Sequence, residues 1–157
     1  MSEIIIKKTD NKVGAVLIAK KFPEFFTHDG IAALEKDLNY YSLFGAFYGN
    51  DELIGFIVLR QSDVASLEIS WLAVLPEWQG RGVGSRLVKE SLNVLIGAAF
   101  NVCYVKTLAE TVFDHGYEKT RNFYKKLGFN TLEIIHPYPG WDEESPCQIL
   151  AAALPIK

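Results

Sequence analysis

The stretch Pro76–Leu92, PEWQGRGVGSRLVKESL, constrains the fold of this chain more than any other. Gly80, Gly82 and Gly84 alternate, and an apolar stripe follows at once: Leu87, Val88, Leu92 and Leu95 recur at helical spacing, with Gly97 near the end. Before the glycines runs Val64–Val74, VASLEISWLAV, which reads as the longest strand. A strand, a glycine-rich turn and a helix start together make an anion site. Backbone N–H groups converge there, and the helix dipole adds about half a positive charge. Glycine tolerates close approach and unusual dihedrals. Arg81 and Arg86 add cationic side chains. The plainer alternative is a tight βα turn that merely needed glycine, but three glycines in five residues exceed that need.

Two familiar phosphate cradles do not fit. The P-loop needs Lys and then Ser or Thr after its last glycine, and Gly84-Ser85-Arg86 lacks them. The dinucleotide fingerprint places Ser85 where its last glycine belongs when counted from Gly80.

The rest of the chain reads as one α/β domain over residues 1–157, around a largely antiparallel sheet. Glu3–Thr9 is a short strand. Asp10 or Asn11 caps a helix running to about Lys21, and Asp29 caps a second with Ile31, Leu34 and Leu38 on one face. A hairpin follows around GND at residues 49–51, and Gln61–Asp63 form another turn. FNVCYVKTLA is a strand, EKTRNFYKKLGF a helix stopped by Gly128, and FNTLEII and CQILAAAL the last strands. Net charge is −3 with no basic block, which argues against nucleic acid. The longest uncharged run, Ser91–Val105, falls short of the ~20 residues of a membrane span. MSEIIIKKTD is no secretory signal, and Cys103 and Cys147 read as buried free thiols, so a cytoplasmic location is expected.

At this point the chain resembles a known family. Gln79-Gly80-Arg81-Gly82-Val83-Gly84 is similar to the Q/R-x-x-G-x-G/A signature of the GNAT superfamily of acetyl-CoA-dependent N-acetyltransferases. EISWLAVLPEW resembles that family's bulged central strand, and TRNFYKKLGF its second motif. The resemblance covers about Val64 to Phe129. It implies a GNAT-like fold: a mixed, mostly antiparallel sheet with splayed central strands and about four helices.

Acetyl-CoA is then the implied co-substrate, with no metal. The pantetheine arm would lie in the gap, held by backbone groups of Leu72, Ala73 and Val74. Amides from Gln79 to Ser85, through Gly80, Arg81, Gly82, Val83 and Gly84, would hold the pyrophosphate. The peptide around Val74 would stabilise the developing oxyanion. Tyr124 is the implied acid toward the departing thiolate, its hydroxyl facing the gap beside Thr120 while Phe123 and Leu127 pack; a core tyrosine is the alternative. Many members carry an asparagine where Tyr117 stands, so Tyr117, Thr120 and Arg121 enter as further cofactor contacts.

Glu68, alternating with Ser70 and Leu72 on one strand face, is the candidate base, with a salt-bridged strand carboxylate as the alternative. Asp114 and His115 are alternative bases. The acceptor is expected to be a small-molecule or peptide amine, with a homodimer also open. Its pocket would draw on Phe22–Tyr41, Glu110–Gly116 and HPYPGWDEE, whose aromatics and carboxylates (Glu110, Asp114, Asp142, Glu143, Glu144) would suit a cation. A non-catalytic CoA-binding module of the same fold is the competing functional reading.

Overall fold

The computed structural model describes residues 3–96 and 100–157. Gly97, expected near a helix end, lies outside them. The elements are β1 (Ile4–Lys8), α1 (Lys12–Ala19), α2 (His28–Asp37), β2 (Ser42–Tyr48), β3 (Glu52–Asp63), β4 (Ser66–Val74), α3 (Val83–Ile96), β5 (Val102–Leu108), α4 (His115–Lys126), β6 (Asn130–Ile135) and β7 (Cys147–Ala153). A short 3₁₀ turn, Pro76–Trp78, joins β4 to the glycine loop.

Seven strands form one open sheet in the order β1-β2-β3-β4-β5-β7-β6. Every pairing is antiparallel except β4 with β5. That parallel ladder runs only from Ser66–Val102 to Ile69–Val105. Beyond it β4 and β5 separate, which is the splay the family resemblance implied.

Local chemistry explains most boundaries. Asn11 Oδ1 accepts from Gly14 N–H at 2.9 Å and starts α1. α2 is capped not by Asp29 but by Thr27, whose Oγ1 accepts from Gly30 N–H at 3.1 Å; Asp29 sits in the first turn. β3 runs through Asp63, so the tight turn falls at Val64 and Ala65 rather than at Gln61–Asp63. α4 starts earlier than its sequence suggests, because Asp114 Oδ1 accepts from Tyr117 N–H at 3.0 Å.

The sheet is covered on both faces. On the α3 and α4 side, Phe44, Ile57, Leu67 and Ile69 of the sheet pack with Leu87 and Leu92 of α3. On the α1 and α2 side, Leu43, Phe56, Val58 and Ala73 of the sheet pack with Leu34 of α2. Truncating a fully buried leucine such as Leu87 to alanine would cost about 2–5 kcal/mol. Among the described residues no helix is long and apolar enough to cross a membrane.

One irregularity in β4 positions the site. Leu59 pairs with Ile69 and Val58 with Trp71, so Ser70 is an extra residue, a β-bulge. A one-residue insertion turns every later side chain to the opposite face. Leu67 and Ile69 share their face with Leu72 and Val74, and Trp71 and Ala73 pack on the other. The expected alternation of Glu68, Ser70 and Leu72 on one face is therefore corrected. Glu68 lies on the side of Trp71 and Ala73.

Candidate active site

The glycine loop owes its form to dihedrals more than to crowding. Gly80 and Gly82 have φ of +78° and +80°, and a Cβ on either would meet nothing within 4 Å. Arg81 between them is not in the left-handed region. Such alternation turns successive N–H groups toward one point, forming an anion nest. The first helical bond of α3 is Arg86 N–H to Gly82 O at 3.0 Å. The amides of Val83, Gly84 and Ser85 are thus left without helical acceptors. Gly84 differs from the other two: a Cβ there would stand 3.2 Å from the Phe123 ring, so this glycine lets α4 pack against α3.

Side chains brace the loop. Gln79 Nε2 donates to Val74 O at 2.9 Å, tying the loop to the end of β4. The Arg81 guanidinium lies 4.9 Å from the Trp78 ring centroid, and Trp78 packs on Tyr48 at 4.6 Å. Arg86, expected to face the anion, is paired instead with Glu90 at 2.6 Å.

A cleft of about 920 Å³ opens where β4 and β5 separate, and it continues past α4 to the α1–α2 segment. Leu72, Ala73, Val74, Gln79, Gly80, Val83 and Gly84 line it, as do Glu68, Tyr117, Thr120 and Tyr124. Arg81, Gly82, Ser85 and Arg121 do not. Arg121 is buried and donates from Nη1 to Leu108 O at 2.6 Å, so it docks α4 on the end of β5.

The backbone of β4 divides by strand alternation. Leu75 N–H donates to Ile54 O at 2.9 Å, which turns the groups of Ala73 toward β3 as well. Those of Leu72 and Val74 then face the gap. Ala73 contributes its small side chain rather than the N–H and C=O expected of it.

Tyr124 is held by the end of its helix. Phe129 N–H bonds Tyr124 O at 3.1 Å and Gly128 N–H bonds Lys125 O at 3.1 Å, with Gly128 at φ +98°. This is a Schellman close, and the apolar contact that accompanies it is the Tyr124 ring on Phe129, 5.3 Å between centroids. Phe123 meets the same ring edge-on at 5.0 Å. The residue is 3% exposed yet lines the cleft. Burial, with a smaller contribution from Cys103, pushes the phenol pKa up, so it stays protonated and can donate. Tyr124 thus combines the two readings: its ring belongs to the core and it borders the gap.

Glu68 is 7% exposed and doubly paired. Arg60 Nε reaches Oε1 at 2.8 Å and Lys106 Nζ reaches Oε2 at 3.2 Å. Glu68 is thus a salt-bridged carboxylate that also lines the cleft. Thr120 spends its hydroxyl on Gly116 O at 3.2 Å. Tyr117 packs edge-on against Phe25 at 5.1 Å, and burial raises its phenol pKa. A Cβ at Gly116 would come 2.7 Å from the same Phe25 ring, so α4 and the α1–α2 segment meet across the cleft. Asp114 serves as the α4 cap, and exposed His115 lines the cleft.

Of the segments expected to wall the acceptor pocket, Phe22, Phe25, Phe26, Tyr41 and Trp141 line the cleft, but the expected carboxylates do not. Glu110, Asp114, Asp142, Glu143 and Glu144 stay out of the cleft; Glu24, Asp37 and Glu68 are the carboxylates that line it. Trp71 Nε1 donates to Asp37 Oδ2 at 2.8 Å, and Trp71 stacks on Phe26 at 5.4 Å. Sequence reading missed Arg60, Lys106, Trp71 and Trp78. Lys106 carried one signal: it is the one charge in the strand VCYVKTL, which needs a partner or a ligand, whereas Arg60 opens the polar end of β3 and gave none. Among the described residues no group of three or more His, Cys, Asp or Glu is arranged to hold a metal.

Solved structures share this fold. No curated protein sequence matches the chain. Among solved structures it is similar to a GNAT-family protein from Desulfovibrio desulfuricans, with a TM-score of 0.82 and 15% identity over 96% of this chain and 99% of that one. An aminoglycoside 6'-N-acetyltransferase complexed with coenzyme A gives 0.72 and 22% identity, over 95% of this chain and 96% of that one. A GNAT family acetyltransferase from Elizabethkingia anophelis with acetyl-CoA bound gives 0.67 and 21%, over 96% and 98%. At such identities the likeness speaks for the fold. A family model described as an acetyltransferase (GNAT) domain matches residues 39–131, more than half of the chain. With the splayed strands, the glycine nest and the closing tyrosine helix, that match assigns this chain to the GNAT family of acetyltransferases.

Proposed function

We propose that the protein transfers an acetyl group from acetyl-CoA directly to a primary amine within a ternary complex. The observation that carries this reading is the unpaired gap between β4 and β5, bordered at one end by the glycine nest and along its side by Tyr124. Acetyl-CoA supplies an activated thioester. The amides of Val83, Gly84 and Ser85 hold its pyrophosphate, and the gap-facing N–H and C=O of Leu72 hold the pantetheine arm as an added strand. The Val74 N–H offers a donor to the acetyl oxygen as charge develops there.

The amine nitrogen forms its bond to the acetyl carbon as the C–S bond breaks. The departing sulfur takes a proton from the Tyr124 hydroxyl, which recovers one from solvent. The ammonium proton leaves through a water to Glu68, whose carboxylate Arg60 and Lys106 hold in place. The acceptor is a small molecule or a peptide, as in the aminoglycoside acetyltransferases of like fold. The protein acts in the cytoplasm, where two buried unpaired thiols remain reduced.

The test is calorimetry with acetyl-CoA, followed by free-thiol release across a panel of amines. Saturable binding and amine-dependent release are expected. Binding without release from any amine would leave a CoA-binding module instead.

A further inference from the structure

The geometry points to an acceptor that carries a carboxylate next to its amine, a free α-amino acid with an apolar or aromatic side chain. This rests on the acetyltransfer reading and names the substrate class of the same site.

The argument begins with charge. Arg60, Glu68 and Lys106 line the cleft on the side of Trp71 and form one cluster, two cations about one carboxylate. Arg60 and Lys106 are 29% and 25% exposed at the side chain, and Glu68 is 9%. Glu68 accounts for one positive charge and leaves the other without an anion. Both cationic side chains line the cleft. Arg60 spends Nε on Glu68 and one Nη2 hydrogen on the Tyr104 hydroxyl at 3.1 Å, so three of its five N–H groups remain. Lys106 spends one on Glu68 and lies 5.3 Å from the Tyr138 ring centroid.

The other acids of the cleft do not complete the cluster. Among the described residues neither Glu24 nor Asp37 forms an ion pair, and Asp37 accepts from the Trp71 indole. An acceptor that covered this cluster without an anion would strand a half-buried cation, which is costly. A carboxylate would close it with charge-assisted bonds. The same cleft is lined by Phe22, Phe25, Phe26 and Trp71, an apolar surface for a side chain. At the cluster itself a polycationic amine meets two cations against one carboxylate.

The experiment has two stages, so that the two readings fail separately. Calorimetry with acetyl-CoA tests the acetyltransfer reading; absence of binding there defeats that reading and this inference with it. With binding in hand, thiol release is measured for matched sets: phenylalanine, phenylalaninamide and phenethylamine; leucine, leucinamide and isopentylamine; and kanamycin as the polycation. The amino acids should exceed their carboxylate-free partners by about tenfold or more in kcat/KM. Lys106→Gln should erase most of that preference through KM of the amino acid, and Lys106→Arg should restore it. Thermal melts check that both variants fold, and Arg60→Lys provides a second probe if Lys106→Gln does not. Equal or better turnover of the amides, the simple amines or kanamycin would overturn the inference. So would acetyl-CoA binding without turnover of either amino acid, or a preference unchanged in the folded Lys106→Gln protein.

Discussion

The two ends of the cleft are built from different material. The end proposed to take the cofactor is made of backbone: a nest of amides, a helix start and one exposed strand edge. The end proposed to take the acceptor is made of side chains from elements far apart in sequence: Phe25 from the α1–α2 segment, Arg60 from β3, Glu68 and Trp71 from β4, and Lys106 from β5. A backbone site tolerates almost any residue except where φ is positive, so its sequence mark is a few glycines. A side-chain site needs particular groups at one point in space, and no spacing along the chain announces them.

The largest expected effect falls where the two ends join. Tyr124→Phe should lower kcat about 10²-fold or more, roughly 3 kcal/mol, with acetyl-CoA affinity nearly unchanged. A hydroxyl that serves the departing sulfur contributes mainly in the transition state. Steady-state kinetics beside a thermal melt checks it. A drop in stability with unchanged turnover would make Tyr124 a core residue only.

Next in size is a test of the backbone end alone. Gly82→Glu forces a side chain into φ +80° and brings negative charge to the nest. Acetyl-CoA binding should weaken by more than about tenfold, ~1.4 kcal/mol, as calorimetry would show. Affinity within a factor of two or so of the wild type would show that the nest does not hold the pyrophosphate.

Gly84→Ala separates packing from binding. Its Cβ would stand 3.2 Å from Phe123, so the ring must give way. Stability should fall by about 1 kcal/mol, with a smaller change in acetyl-CoA affinity than Gly82→Glu produces. The reverse order would mean that Gly84, and not Gly82, shapes the anion site.

The smallest effect is expected at the cysteines. Burial pushes the Cys103 thiol up to about 12 and the Cys147 thiol up to about 11. Neither forms a thiolate near pH ~8, so neither is a nucleophile. Cys103→Ala and Cys147→Ala should keep most of their activity per folded molecule. Mass spectrometry should find no acetyl adduct on either, and iodoacetamide should label them only after unfolding. A stoichiometric acetyl-cysteine would replace direct transfer by a two-step route.

Much of the fold was legible because its signals are local. Alternating glycines before an apolar helical stripe, and LGF after a short helix, specify dihedrals and caps within a few residues. The structure adds physical reasons: Gly80 and Gly82 sit at positive φ, and Gly128-Phe129 closes a Schellman turn that locks Tyr124. Local reading went astray where a nearby competitor existed. Thr27 stands two residues before Asp29, and both are good caps.

What remained was decided by tertiary structure. The sequence by itself determined the order of elements, the anion-binding turn and the tyrosine helix, since each depends on neighbours a few residues away. Only the assembled sheet decided which face Glu68 occupies. A single bulged residue at Ser70 inverts every later side chain of β4, and periodicity cannot reveal it. Only the assembled sheet brought Arg60 and Lys106 to Glu68, across two different strand pairings. Charge interactions depend on distance in space, and sequence separation does not measure it.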